Sequence, residues 1–444
     1  MSKKLFTKSF GCQMNEYDVT KIVDILAKTH NFITVENPAK ADLIILNTCS
    51  VRAKATEKVF SELGRLKLLK QKNPNLILAV GGCVSREEQV RVFKRAPHVD
   101  IIFSPQTLHR LPKMYERSCN KEKHIIDIFA PPIEKFDYLP PPIKTGPIAY
   151  ISIMEGCNKF CSYCIVPYTR GRETSRKMTD IITEVGGLAQ KGAKEIHLLG
   201  QNVNAYHDQE QHVNLAELIH EIAKIENIIR IRFTTSHPKE FSDNLIAAFK
   251  HESKLANHIH LPIQSGSNRI LQLMRRGYTR EEYQEIVAKL RKVRPNISIS
   301  TDFIVGFPNE TAEDFALTMD IIHKINFDAA FSFIYSSRPN TPAAQIEDNV
   351  TLGQKKERLA ILQNQLMLQS HQYGKNMIDT IQKVLVTDLV KAVPHQFSGR
   401  TENNRIVNFI SPKNVLGKIV ELKITEAFPN SLYGEIYTKP IAVF

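Results

Sequence analysis

Three cysteines stand close together near the middle of the chain, in the run Cys157-Asn-Lys-Phe-Cys161-Ser-Tyr-Cys164. Thiolates at this C-x3-C-x2-C spacing can hold three irons of a [4Fe–4S] cluster, for which thiolate is the expected ligand. The fourth iron then has no protein ligand and is open to chelation by a cofactor. A zinc knuckle is the competing reading. Zinc takes four ligands, usually with Cys or His at short spacing. The first His after the triplet is His197, and no Cys follows Cys164.

The chain has seven cysteines. In a reducing cytosol they do not form structural disulfides, and an odd count points to metal, redox or core roles. Cys12, Cys49 and Cys83 each fall just after the C-terminal end of an expected parallel strand. In an open α/β sheet, ligands bind in the crevice at those ends. If the three strands are neighbours, the sulfurs converge on one edge and form a second three-cysteine site with an open iron. The alternative is that each is a small buried core residue. Cys119 lies on no such edge and reads as a bystander.

Those positions follow from the pattern of elements. In residues 1–120 the strands KLFTKSF, ADLIILNT, NLILAVGG and VDIIFSP alternate with helical stretches, which implies a parallel sheet covered on both faces. Val51, Ala55, Val59 and Leu63 recur at helical spacing. Residues 130–147 carry six prolines and read as a stiff linker. From Ala149 the runs AYISIMEG, EIHLLGQN, IRIRFTTS, HIHLPIQS, ISTDFIVGF and AAFSFIYS alternate with helices. They predict a partial (β/α)6 barrel over 148–375, shorter than the eight-unit form. An amphipathic helix over 352–373 closes it, with Leu359, Leu362 and Leu366 on one face. Residues 378–444 hold short β-type runs with turns between them and predict a small β-barrel.

The 444 residues suit two to four domains. Net charge is +13, which fits a polyanionic partner such as nucleic acid, or simple solubility. No run approaches the roughly 20 apolar residues of a membrane span. The N-terminal stretch lacks a signal-peptide core, so the expected location is the cytoplasm, with no membrane partner.

The triplet with Tyr163 before its last Cys, the set Cys12, Cys49 and Cys83, and the C-terminal barrel together resemble the methylthiotransferase branch of the radical S-adenosylmethionine (SAM) superfamily. In that branch the N-terminal domain is a flavodoxin-like sheet and the barrel a TRAM RNA-binding domain. The stretches SFGCQMNEYD (9–18), GCNKFCSYCIVPYTRGRETSR (156–176), RIRFTTSHP (230–238) and HLPIQSGSNRIL (260–271) are similar to the members that act on isopentenyladenosine in tRNA.

The resemblance implies two [4Fe–4S] clusters, one on Cys157, Cys161 and Cys164 and one on Cys12, Cys49 and Cys83. It also implies two SAM molecules per turnover. One is cleaved to a 5′-deoxyadenosyl radical that takes hydrogen from carbon 2 of the adenine; the other methylates a sulfur held at the second cluster. The partners implied are a tRNA carrying isopentenyladenosine, an electron donor such as flavodoxin or ferredoxin, and an iron–sulfur or sulfur delivery system. Tyr163 and Gly200-Gln201-Asn202 become candidate cofactor contacts, as do Ser236, Gln264 and Gly306 at other strand ends. The glycines read equally as turn residues. Arg170, Arg172, Arg176 and Lys177 follow the triplet and are candidate grips on tRNA phosphates. The basic stretch 52–72 reads as such a grip or as a solvated helix face. Phe397, Phe409 and Tyr433 are candidates for base stacking or for the barrel core.

Two alternatives stand beside this reading. One keeps the chemistry but directs it to threonylcarbamoyladenosine or a ribosomal protein aspartate. The other is a non-catalytic zinc RNA-binding protein.

Overall fold

The computed structural model describes residues 2–48, 53–82, 90–129 and 134–438. Cys49 and Cys83 lie outside the described residues, as do Arg52 and Pro131.

The first unit is a six-stranded sheet in the order β2-β1-β3-β4-β5-β6. Its strands are β1 (Lys3–Phe10), β2 (Phe32–Thr34), β3 (Leu43–Thr48), β4 (Ile77–Gly82), β5 (Ile101–Phe103) and β6 (Ile125–Asp127). Every pairing is parallel. β3 and β4 are buried at every position because helices cover both faces. Ile45, Ala79 and Ile101 pack on one side, and Ile44, Val80 and Ile102 on the other. α1 (Gln13–His30) follows β1 and α2 (Ala53–Lys72) follows β3. The order reverses direction between β1 and β3, the switch point at which such sheets open a crevice.

The central unit has six parallel strands: β7 (Ile148–Ser152), then Glu195–Leu199, Arg230–Phe233, His258–His260, Ser298–Val305 and Ala329–Ile334. Hydrogen bonding divides them into two three-stranded halves. The apolar face of each half, including Ile151, Leu198, Ile231, Ile259 and Ile299, is packed under the surrounding helices. The opposite face is polar, with Tyr150, His197 and Arg232 in one register row. The last helix runs Leu352–Lys375 with Leu362 and Leu366 buried. Five strands between Ile381 and Ile436 then close a small barrel, with Phe397 and Phe409 buried in its core. That burial removes these two rings from the set that can stack on a base, whereas Tyr433 is half-buried.

Residues 134–143, within the stretch read as a stiff linker, pack against both neighbouring units. Glu134–Tyr138 is a short helix, and Phe136 and Leu139 pack with Met14, Tyr17 and Leu199. The Ile143 amide donates to Asp24 at 3.0 Å. The physical reason is Lys135, fully buried between Asp18 of α1 and Glu155 after β7. Arg170 completes the group, 3.2 Å from Glu155 and 3.5 Å from Asp18.

The C-terminal barrel is docked by the two arginines of the Arg230–Phe233 strand. Arg232 donates to the carbonyls of Glu402 (2.8 Å) and Thr401 (2.7 Å), and Arg230 to that of Arg400 (3.1 Å). Both also pair with buried Glu195, at 2.7 and 2.9 Å. Burial pushes the Glu195 carboxyl up, but Arg232, His197 and Arg230 together hold it well below the usual carboxylate range.

Candidate active site

The sequence folds the cysteine triplet into a loop at the C-terminal end of β7. Gly156 starts the loop at φ +78°, and a Cβ there would lie 2.0 Å from the Arg172 carbonyl oxygen. Only glycine fits both the backbone angle and the space. Its amide donates to the Gln201 side chain at 2.6 Å. The far end is tied to the barrel through Ser162, whose amide donates to Met274 O (3.0 Å) and whose hydroxyl donates to Leu273 O (2.7 Å). Between these ties Phe160 sits at φ +46°, a strained position for a bulky residue and one found preferentially at functional sites.

Burial, followed by the neighbouring Cys161 sulfur, pushes the Cys157 thiol up to about 11 and the Cys164 thiol up to about 12. Such thiols lose their protons only to a metal or another strong positive charge. One cation is in place: the Arg276 guanidinium donates to the Cys161 sulfur at 3.4 Å. Among the described residues no three His, Cys, Asp or Glu side chains converge on a single-ion site.

Whether the surroundings fit a cofactor can be judged from their hydrogen bonding. Buried polar groups are normally paired. Asn202 is 1% exposed; among the described residues its carboxamide makes no hydrogen bond of normal geometry, although it lies beside the Glu173 carboxylate and helps to stabilise its charge. The Ser236 hydroxyl and His237 Nε2 are buried without partners among the described residues. Burial and then Arg276 push His237 down to about 2, so the ring is neutral. All three residues follow the C-terminal ends of strands, the edge that carries the cysteine loop. A cluster of unpaired donors and acceptors at that edge fits a polar cofactor with carboxylate and amino groups.

The other candidates fall in different surroundings. Tyr163 packs on an apolar group of Ile270, Met274, Phe307 and Tyr335. A Cβ on Gly200 would meet the Met154 side chain at 2.5 Å. Gly306 sits at φ +65° under the Lys355 side chain and donates its amide to Glu310 at 3.0 Å. Gln264 is buried at φ +75°, again a strained position at a strand end.

The four basic candidates divide by exposure. Arg170 and Arg176 are buried and point into the protein. Arg170 belongs to the Asp18–Lys135–Glu155 group. Arg176 pairs with Glu184 at 2.7 Å, donates to Ser152 O at 2.7 Å and lies over the Phe136 ring. A desolvated guanidinium paired in this way cannot turn out to a phosphate without leaving buried carboxylates bare. Arg172 is exposed, and Lys177 is exposed beside Glu210. Arg276 and Lys135 went unnoticed in the sequence. Arg276 is one of two adjacent arginines, and no spacing marks which of them is buried.

Cys12 forms the N-cap of α1 on the first sheet. Phe10, Thr48 and Gly82, which precede Cys12, Cys49 and Cys83, occupy one register row across β1, β3 and β4. Asn15 stitches this row, donating to Thr48 O at 2.8 Å, and Asn47 donates back to Asn15 O at 3.0 Å. Gln13, next to Cys12, reaches the barrel, 3.4 Å from His197 and 3.1 Å from Thr234. Cys119 is exposed at a helix end, on a different part of the unit.

Comparison with known proteins gives the same three parts. Residues 151–322 match the radical SAM superfamily, 4–104 the uncharacterized protein family UPF0004, and 375–437 the TRAM domain. A radical S-adenosylmethionine methyltransferase of Kitasatospora setae shares the fold, with a TM-score of 0.58 at 14% identity over 78% of this chain and 77% of that one. The tRNA-2-methylthio-N(6)-dimethylallyladenosine synthase of Coxiella burnetii (strain Dugway 5J108-111) is 55% identical over 98% of this chain and 100% of its own length. That of Legionella pneumophila (strain Corby) is 53% identical over 99% of each. With the site geometry and this extent of identity, the chain belongs to the tRNA-2-methylthio-N(6)-dimethylallyladenosine synthase family of radical SAM enzymes.

Proposed function

We propose that the protein methylthiolates carbon 2 of isopentenyladenosine beside the anticodon of tRNA, working in the cytoplasm. The dimethylallyl group in the relatives' name is this same five-carbon substituent. The observation that carries the proposal is the cysteine loop at a strand-end edge lined by Asn202 and by the buried polar atoms of Ser236 and His237, in a chain more than half identical to enzymes of that name.

Cys157, Cys161 and Cys164 would hold the first [4Fe–4S] cluster. With SAM bound, that site supplies a 5′-deoxyadenosyl radical able to take hydrogen from an unactivated C–H bond. Asn202, Ser236 and His237 orient the cofactor by completing their hydrogen bonds to it, and Gln201 holds the loop through the Gly156 amide. Tyr163 and its apolar neighbours exclude water from below. Cys12, Cys49 and Cys83 would hold the second cluster and its sulfur; the single register row before them supports this assignment. Two SAM molecules are then used per turnover, with electrons from a flavodoxin or ferredoxin and sulfur from a delivery system. The units are 1–120, 148–375 and 378–444, joined through 130–147. Exposed Arg172 and Lys177 contact the tRNA backbone.

The test is mass spectrometry of nucleosides from total tRNA, with and without the gene. Loss of the methylthio-isopentenyl nucleoside with accumulation of its precursor supports the proposal. An unchanged nucleoside with altered threonylcarbamoyl nucleosides overturns the substrate.

A further inference from the structure

Among the described residues, no carboxylate pairs with the buried cation Arg276. Its Nε donates to the Tyr278 hydroxyl at 3.0 Å, and one terminal nitrogen donates to Pro262 O at 2.9 Å. The other terminal nitrogen donates to the Cys161 sulfur at 3.4 Å. The side chain is 6% exposed, whereas Arg275 beside it faces solvent. Removing a guanidinium from water is expensive unless an anion compensates it. The other buried arginines of this protein, such as Arg170, Arg176 and Arg232, each have an Asp or Glu. Arg276 faces three neutral oxygen and sulfur partners and the cysteine loop. The negative charge that matches it is therefore the thiolate-ligated cluster itself. Hydrogen bonds and charge next to cluster sulfurs set reduction potential.

We propose that Arg276 is the counter-charge of the cluster held by Cys157, Cys161 and Cys164, stabilising its reduced form and so raising its reduction potential. It acts through Cys161 and is a positioning residue. The idea rests on the cluster reading above. The guanidinium favours whichever state carries more negative charge, and the reduced cluster carries one more electron.

The test uses the full chain with Cys12, Cys49 and Cys83 replaced by Ala, reconstituted anaerobically with iron and sulfide. Iron is counted, and the cluster is titrated with dithionite and redox mediators while its reduced signal is followed by electron paramagnetic resonance. Arg276→Gln is expected to bind the same iron and to lower the ratio of reduced to oxidised cluster at a fixed potential at least tenfold, about 59 mV for one electron. Arg276→Lys, which keeps the charge on a differently shaped head, is expected to lose less. If the Gln variant binds no iron but the Lys variant does, charge is required and the proposal stands. A Gln variant that loads fully and titrates within twofold of the parent overturns it. So does loss of iron from both variants, which marks the residue as packing alone. A parent protein that binds no iron sinks the cluster reading, and this proposal with it.

Discussion

Replacing Lys135 with Met tests how the first unit is locked to the central one. The ammonium is fully buried between Asp18 and Glu155, with Arg170 as the second cation of the group. Burial already raises the Asp18 carboxyl against the pull of Lys135 and then Arg170. Without Lys135 one carboxylate is left without its partner, a loss that costs about 3–5 kcal/mol in buried pairs. Protonation sets a ceiling. Neutralising a carboxyl of ordinary pKa about 3.9 costs about 4 kcal/mol at pH 7 and about 1.5 kcal/mol at pH 5. In the variant the folded-state pKa of Asp18 lies further above its unfolded value. Its deficit against wild type is therefore small near pH 4 and grows as pH rises towards that folded pKa. The expected loss is about 2–4 kcal/mol at pH 7, read as a displaced urea transition at unchanged slope. Adding Asp18→Asn should restore most of it, and the double-mutant cycle gives the coupling. A deficit below about 1 kcal/mol at pH 7, or one equal at pH 5 and pH 7, would refute the reasoning.

Three further outcomes follow from the site. Gly156→Ala places a methyl against the Arg172 carbonyl at a left-handed backbone angle, so the variant should fold but lose the irons of the first cluster, as counted after reconstitution. Asn202→Ala should raise the SAM KM at least tenfold with iron content unchanged; an unaltered KM removes Asn202 from the cofactor site. Arg232→Met leaves Glu195 with one guanidinium fewer and undoes two contacts to the C-terminal barrel. Limited proteolysis should then release residues 378–444 faster than in wild type.

Sequence made the local features legible and left the long-range ones hidden. The parallel sheet shows in runs of apolar residues because burial on both faces writes itself into composition, and the six strands and the small barrel show in short apolar runs separated by helices or turns. The triplet shows because its ligands are close in sequence. Arg170 and Arg176 read as a surface run because their acidic partners are far away: Asp18 on α1, and Glu184 on the helix Met178–Gln190. Charge says nothing of exposure until the partners are placed. Lys135 went unseen for the same reason, since prolines announce stiffness but not that a lysine between them is buried. Arg230 and Arg232 stood inside a recognisable motif, yet what they hold is a set of backbone carbonyls some 170 residues away in sequence.

The most direct test of the central claim is the metal content of the purified chain, reconstituted anaerobically, then its reaction with SAM, reductant and tRNA carrying isopentenyladenosine. The account predicts a brown protein with roughly eight irons, two [4Fe–4S] clusters, that forms the methylthio nucleoside. It also predicts that Cys161→Ala abolishes SAM cleavage, while Cys49→Ala keeps cleavage and stops methylthio transfer. A colourless protein containing zinc, or a Cys49→Ala variant that makes full product, would contradict it.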